Sequence, residues 1–491
     1  MTQKKYLLLF IAVIVMSCGD GEFVYTQERT LDDFKEYRDG AFEVNGDEVL
    51  KNLANMAVAD QGGLSADKFT RNYYKEKGKP LWIDYKGIDW RVDSLEEWLK
   101  ATEAVGISPT VFRLKQISED LETFRSYSFD DTHDINTLIA RLDYNLTRAY
   151  LRYLSGQRFG FVNPDAVLNR LYKKPEDSLS NKYIRLFDIP LRRANDDFFT
   201  MALRCSSADS IIAFVQASQP VGSLYRRLVS ELQRNNASSV RQKILCNIER
   251  CRWRQKDYPE NHEKYVVVNI PSFNLYAVDK EKTIHMRIGC GAVKTKTPLL
   301  TSKVVRMDLN PQWIVPKSIA KGIAYSYSYM QKERMFIFDK TRGKLPCTES
   351  SLERILSGEQ YIIQKGGEGN SLGRIIFRFP NNFSVYLHDT NTPWMLQRDF
   401  RAISHGCIRV ERPLELAEFM LEKKEQSVID KIHDTTTKDS VSRSISISPE
   451  VPIYITYYTF YPNESNVLQS YPDVYGYDEA IFERLKVFIK E

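Results

Sequence analysis

The stretch AISHGCIRVE, residues 402–411, sets Ser404, His405, Gly406 and Cys407 in consecutive order. A lone cysteine is most often a small buried core residue, so its surroundings decide whether Cys407 is that or a nucleophile. Gly406 permits a tight turn in which backbone N–H groups approach a ligand. His388 lies 407 − 388 = 19 residues upstream and closes FSVYLHD (383–389), where Phe383, Val385 and Leu387 alternate with Ser384, Tyr386 and His388. That alternation predicts a strand with two unlike faces. A histidine ending a strand reaches a cysteine in a following loop, the base–nucleophile pairing that thiol catalysis needs. Downstream, IRV (408–410) predicts a short strand, and ERPLELAEFMLEKK (411–424) a helix with Pro413 in its first turn. Its apolar stripe, Leu414, Leu416, Ala417, Met420 and Leu421, reads as core. The helix begins too far past Cys407 for its dipole to act on the thiol. Activation is therefore assigned to a thiolate–imidazolium pair with a histidine.

Taken together, HDTNTPWMLQRDFRAISHGCIRV (388–410) resembles the signature of the L,D-transpeptidases with a YkuD-type catalytic domain. The pattern is a His, a spacer, Ser-His-Gly-Cys, then a hydrophobic and a polar residue. The usual polar residue is Asn; here it is Arg409, as in the large multidomain periplasmic branch. KYVVVNIPSFNLYAV (264–278), TPLLTS (297–302), LNPQWIVPKSIA (309–320), SLGRIIFRFPN (371–381) and VPIYITYYTFYP (451–462) resemble that branch too. The resemblance implies that Cys407 is the nucleophile and His388 the general base, with His405 the next candidate base. The N–H groups of Gly406 and Cys407, with His405, are expected at the oxyanion. Ser404 and Arg409 are expected to contact substrate, Arg409 either binding a carboxylate or making a structural ion pair. The implied substrate is a peptidoglycan stem peptide, as donor and as acceptor. Transfer to an amine, hydrolysis by water and a catalytically silent cell-wall-binding role all remain open from the sequence. No metal and no organic cofactor is expected: there is neither HExxH nor a paired CxxC.

Composition agrees with an exported globular enzyme. The 491 residues are 43% hydrophobic and carry a formal charge of +5; Lys4 and Lys5 lie in a segment expected to be removed, leaving 5 − 2 = +3. No basic run interleaved with aromatics points to nucleic acid. At the N-terminus MTQKK precedes YLLLFIAVIVM (6–16), a charged and then a short apolar region, and VMSC (15–18) resembles a lipoprotein cleavage site. Cys18 is the expected lipidation site, giving a periplasmic protein tethered to a membrane by its acyl chains; an ordinary secretory signal is the alternative. Of seven cysteines, Cys18 and Cys407 are assigned, and the odd remainder excludes a complete disulfide framework. Cys246 and Cys251, expected on one helix, read as core.

The fold class expected is α+β. DEVLKNLANMAVAD (47–60), DSLEEWLKATEAVG (93–106), TVFRLKQISEDLETF (110–124) and DINTLIARLDYNLTRAYLRYLSG (134–156) carry apolar residues at three- and four-residue steps. Asp134 reads as a helix N-cap and Gly156 as a stop. The expected order is a signal peptide (1–17), a polar tether (18–45), a helical scaffold domain (46–160), a helical connector (161–260) and a strand-rich catalytic domain (261–480). The peptidoglycan-binding module usual in that branch is not found in the connector. An insertion at about 317–372 is expected to form a cap, in which Tyr325, Tyr327 and Tyr329 read as a half-buried alternating stripe.

Overall fold

The computed structural model describes residues 38–489 apart from 40–41, 77, 85–86, 127, 130–133, 174–182, 207–209, 235–236, 422–425 and 439–440. Cys18, the signal-like segment and most of the tether lie outside the described residues. The chain forms two compact units. One comprises residues through Leu99, 112–154 and 194–219; the other comprises 100–111, 155–193 and 220 onward. Each unit is therefore assembled from several stretches of chain.

The first unit is helical. In the helix Gly46–Ala59, Asn45 caps the N-terminus by accepting from the N–H groups of Asp47 and Glu48, and Val49, Leu53 and Ala57 bury one face. Asp134 caps the long helix Ile135–Phe159 through its carboxylate, which accepts from Thr137 N–H at 2.9 Å. From Ser155 that helix belongs to the other unit, and there Gly156 does not stop it; Gly160, with φ 88°, lies just past its end. A Cβ on Gly156 would sit 2.2 Å from the Phe161 ring. The glycine is there for packing, not for termination.

The second unit is built on eight strands that close into a mixed barrel. They are β1 (Lys264–Asn269), β2 (Asn274–Asp279), β3 (Lys282–Gly291), β4 (Leu299–Leu309), β5 (Ile375–Arg378), β6 (Leu387–His388), β7 (Ile408–Val410) and β8 (Arg443–Thr456). Pairing runs β5-β6-β7-β3-β2-β1-β8-β4 and returns to β5, so closure leaves none of the eight as a free edge. Two pairs, β6 with β7 and β1 with β8, are parallel. Val266 and Val268, Leu275 and Ala277, and Met286 and Ile288 share one buried core, each pair two residues apart as a strand's period requires. The helix Pro413–Met420 follows β7 with Pro413 at its start, and Leu416, Ala417 and Met420 are buried.

Between β4 and β5 the chain leaves the barrel. Strands Trp313–Ile314, Met335–Asp339, Gly343–Leu345 and Gln360–Gln364 form a separate four-stranded sheet. Helices Lys317–Ile323, Tyr327–Lys332 and Leu352–Ser357 pack with it around a small core that includes Val315, Met330, Ile337 and Ile362. The tyrosine stripe is not a strand. Tyr327 and Tyr329 lie on a helix, where residues two apart face different ways; Tyr327 packs on the insert's core while Tyr325 and Tyr329 are exposed.

Candidate active site

Only the end of FSVYLHD is strand. The Asn381 side chain accepts from the N–H groups of Phe383 and Val385 and donates to the carbonyls of Phe379 and Val385. Ser384 takes a left-handed backbone, φ 56°. This local turn competes with the ladder until Tyr386, whose carbonyl accepts from Ile408 N–H at 3.0 Å. From there Leu387 pairs with Ile408 and His388 with Arg409. Leu387 and Ile408 belong to the barrel core. By the period of two, Tyr386, His388, Cys407 and Arg409 share the opposite face.

The turn carrying Cys407 is fixed from inside. Gly406 has φ 118°, a conformation open to glycine. Ser404 Oγ accepts from Gly406 N–H at 3.1 Å and donates to the Cys407 carbonyl at 2.5 Å. Buried Thr297 donates to the Gly406 carbonyl at 2.7 Å and accepts from Gly291 N–H at 2.9 Å. Two expectations change here. Gly406 N–H is already engaged and is not free to meet an oxyanion, whereas among the described residues no acceptor is found for Cys407 N–H. Ser404 is buried, and its hydroxyl is engaged on both sides in bracing the turn. His405 lies exposed on the outside of the turn.

Burial raises the Cys407 thiol, opposed by the nearby Tyr386 backbone and hydroxyl and by the Arg378 and Arg409 charges. Its Sγ lies 3.7 Å from the Ser384 carbonyl. Burial, and then the Arg409 charge, lower His388 to about 3. Among the described residues no partner meets hydrogen-bond geometry at its buried Nδ1, although the backbones of Asp389 and Leu372 lie close enough to favour the charged ring. The resting pair is thus a neutral thiol and a neutral imidazole. The thiolate–imidazolium pair expected from the sequence is disfavoured, because a buried site already holding a guanidinium penalises a second cation.

Arg409 reaches Thr392 Oγ1 at 3.3 Å and Met395 Sδ at 3.5 Å, and its Nε is buried without a partner. Among the described residues it meets no carboxylate, which removes the structural ion pair as its role. Tyr386, its ring 5.8 Å from that of His388, was not singled out as a site residue in the sequence. The signal was present, since it stands two residues before His388 in an alternating run.

Residues 263–439 match the family model of the YkuD-type L,D-transpeptidase catalytic domain. This chain carries an L,D-transpeptidase catalytic domain. Residues 67–232 match the model of a scaffold domain. A Haemophilus influenzae protein described as "Putative L,D-transpeptidase" is 25% identical over 347 residues, 68% of this chain and 69% of that protein. Among solved structures, an L,D-transpeptidase from Mycobacterium smegmatis is 15% identical with a TM-score of 0.19, covering 40% of this chain and 58% of that one. L,D-transpeptidase 3 from Mycobacterium tuberculosis is 11% identical with a TM-score of 0.19, covering 40% and 61%. This chain thus spans about three-fifths of the solved structures it matches.

Within the transpeptidase domain, the returning stem of the insert abuts the site. The Asp389 carboxylate accepts from Arg374 N–H at 2.8 Å, and a Cβ on Gly373 would fall 2.3 Å from it. Asn391 donates to the Gly369 carbonyl at 3.2 Å. The segment 369–374 therefore packs directly behind His388 and the loop that follows it.

Proposed function

We propose that this chain is a peptidoglycan L,D-transpeptidase acting through Cys407. The observation that supports it most directly is the shared face of β6 and β7, where a half-buried thiol, a neutral histidine and an arginine without a carboxylate stand together. His388 takes the thiol proton as the sulfur attacks the carbonyl joining the diamino acid of a stem to its terminal D-Ala. Cys407 N–H and the Tyr386 hydroxyl are the donors offered to the resulting oxyanion. The imidazolium then protonates the departing D-Ala amine, leaving an acyl thioester on Cys407. A side-chain amine from a neighbouring stem, losing its proton to His388, displaces the thiolate, which recovers that proton. The new amide links two diamino acids. Arg409 pairs with a stem carboxylate, offering the bidentate fork that an unpaired guanidinium has free.

Purified protein incubated with disaccharide-tetrapeptide, with products resolved by mass, tests this reading. A cross-linked dimer with release of D-Ala is expected. Tripeptide without dimer would make the enzyme a carboxypeptidase, and no D-Ala release would remove both readings.

The proposed setting is the periplasm, with Cys18 lipidated and anchoring the mature chain. The support is the charged, apolar and Ser-Cys order of residues 1–18. Cys18→Ala should leave a soluble or uncleaved protein; unchanged membrane fractionation would return the N-terminus to an ordinary signal.

A further inference from the structure

A second cation stands on the face that carries Cys407. β5 and β6 pair antiparallel, with Ile376 opposite His388 and Phe377 opposite Leu387. The next step of that register sets Arg378 opposite Tyr386, and residues directly opposite share a face. Phe377 and Leu387 belong to the barrel core, so Arg378 stands outside it with Tyr386, His388, Cys407 and Arg409. Its guanidinium carbon lies 5.4 Å from the centre of the Tyr386 ring. That ring is in turn 5.8 Å from the His388 ring, at 67° to it. The phenol thus has both a cation and the base as neighbours.

Arg378 and Arg409 differ in what they have left to offer. Arg409 meets no carboxylate among the described residues. Arg378 Nε donates to the Asp308 carboxylate on β4, which also accepts from Ser444 Oγ on β8 at 2.6 Å. The Arg378 side chain is 37% exposed and that of Asp308 14%. An ion pair of this kind adds little to stability by itself, but this one ends on the ring beside the nucleophile. A cation over an aromatic face is attracted by the ring quadrupole, which favours one placement of the ring. Burial and then the neighbouring Cys407 push the phenol up, so Tyr386 keeps its proton. The Arg378 charge acts the other way, drawing density from the ring and making its O–H a stronger donor. The same hydroxyl lies near enough to Cys407 to oppose the rise of the thiol. Ser444, Asp308, Arg378 and Tyr386 therefore form a line across four strands that ends at the sulfur.

We propose that Arg378, anchored by Asp308, is a positioning residue for acylation: it holds the Tyr386 ring with its hydroxyl toward Cys407 and strengthens that hydroxyl as a donor to the oxyanion. The oxyanion rests on the transpeptidase reading, whereas the holding of the ring does not. Acylation of the full chain by a carbapenem, followed by intact mass over a range of drug concentrations, tests the first part. Arg378→Met should lower the limiting rate about tenfold and leave the half-saturating concentration near that of the parent. Its melting curve should shift little, because the apolar stem of the side chain is kept. Arg378→Lys keeps the charge and should recover part of the rate, and Asp308→Asn should lose part of it. Tyr386→Phe should itself be slower by roughly 10²-fold, and adding Arg378→Met to it should cost less than about twofold more. Iodoacetamide alkylates Cys407 without an oxyanion, so Arg378→Met should cost alkylation much less than it costs acylation. The full loss in the Tyr386→Phe chain, or an equal loss in alkylation, would mean that Arg378 acts on the sulfur directly and would overturn the proposal. Fluorine NMR of a chain with a fluorinated tyrosine in place of Tyr386 reads the ring itself. Its resonance should move or broaden on Arg378→Met; an unmoved resonance would overturn the clamp. A wild-type chain that takes up no acyl group would remove the transpeptidase reading, and a moved resonance would still keep the clamp.

Discussion

Cys290 and Cys407 sit on one barrel, each beside a tyrosine, and burial pushes both thiols up. Cys290, on β3, is sealed: its Sγ lies 3.5 Å from the Tyr475 hydroxyl, it has no exposure, and its thiol is pushed up to about 12. Cys407 is half-buried at the entry to β7 and shares its face with His388 and Arg409. A raised thiol alone thus marks neither residue. What separates them is access from solvent and a neutral base on the same face.

The sharpest way to break that comparison is to remove each sulfur in turn. Cys407→Ala should abolish formation of an acyl-enzyme, read by intact mass as the adduct of a carbapenem, whose strained carbonyl a thiolate opens to a thioester. Cys290→Ala should keep the adduct and lose about 1–2 kcal/mol of stability through the small cavity left. An adduct persisting on the Cys407 variant would transfer the nucleophile elsewhere and undo the distinction.

The neutral pair is tested next. His388→Ala should slow acylation by about 10²–10⁴-fold; a rate near wild type would make exposed His405 the base after all. At neutral pH the wild type should show no more thiolate ultraviolet absorbance than Cys407→Ala, because burial holds the thiol up and burial together with Arg409 disfavours the imidazolium. The same group affects acid stability. Its folded pKa, about 3, lies below the ordinary 6.5, so the unfolded chain takes the proton first as pH falls. Stability present above pH 6.5 should therefore drain away toward pH 3, and His388→Gln should flatten that part of the melting-temperature profile.

Arg409→Met sharpens the same contrast from the other side. Removing the charge relieves His388, so the acid limb of acylation should move to higher pH. A stem substrate should lose roughly 10–100-fold in kcat/KM, the cost of one charged hydrogen-bond partner. An unmoved acid limb would mean that burial alone holds the ring neutral.

Much of this site was legible because its rules are local. Gly406 and Pro413 mark a turn and a helix start within a few residues of Cys407, and the spacing to His388 survives whatever lies between. The length of β6 was not legible, because alternation in FSVYLHD is overruled by one side chain, that of Asn381. Gly156 shows the same limit: its neighbour across space is the ring of Phe161, and no helix-stop rule contains that. The use of Gly406 N–H was hidden for a similar reason, since motif reading counts donors without seeing which are already spent.

Thr297 is the farthest-reaching case and the smallest expected effect. It lies 109 residues from Gly406 in sequence, yet its hydroxyl donates to the Gly406 carbonyl and accepts from Gly291 N–H, one residue beyond Cys290. It therefore links the sealed cysteine's strand to the half-buried cysteine's turn. Thr297→Val keeps the shape and removes both bonds, leaving a buried N–H and a buried carbonyl short of a partner, at a cost of about 1–3 kcal/mol. If the hydroxyl orients the peptide that presents Cys407 N–H, acylation should also slow by roughly tenfold. Thr297→Ser restores the hydroxyl without the methyl and should recover the rate while leaving part of the stability loss. Recovery of stability without recovery of rate would mean that Thr297 only holds the barrel together, and that Ser404 alone sets the turn.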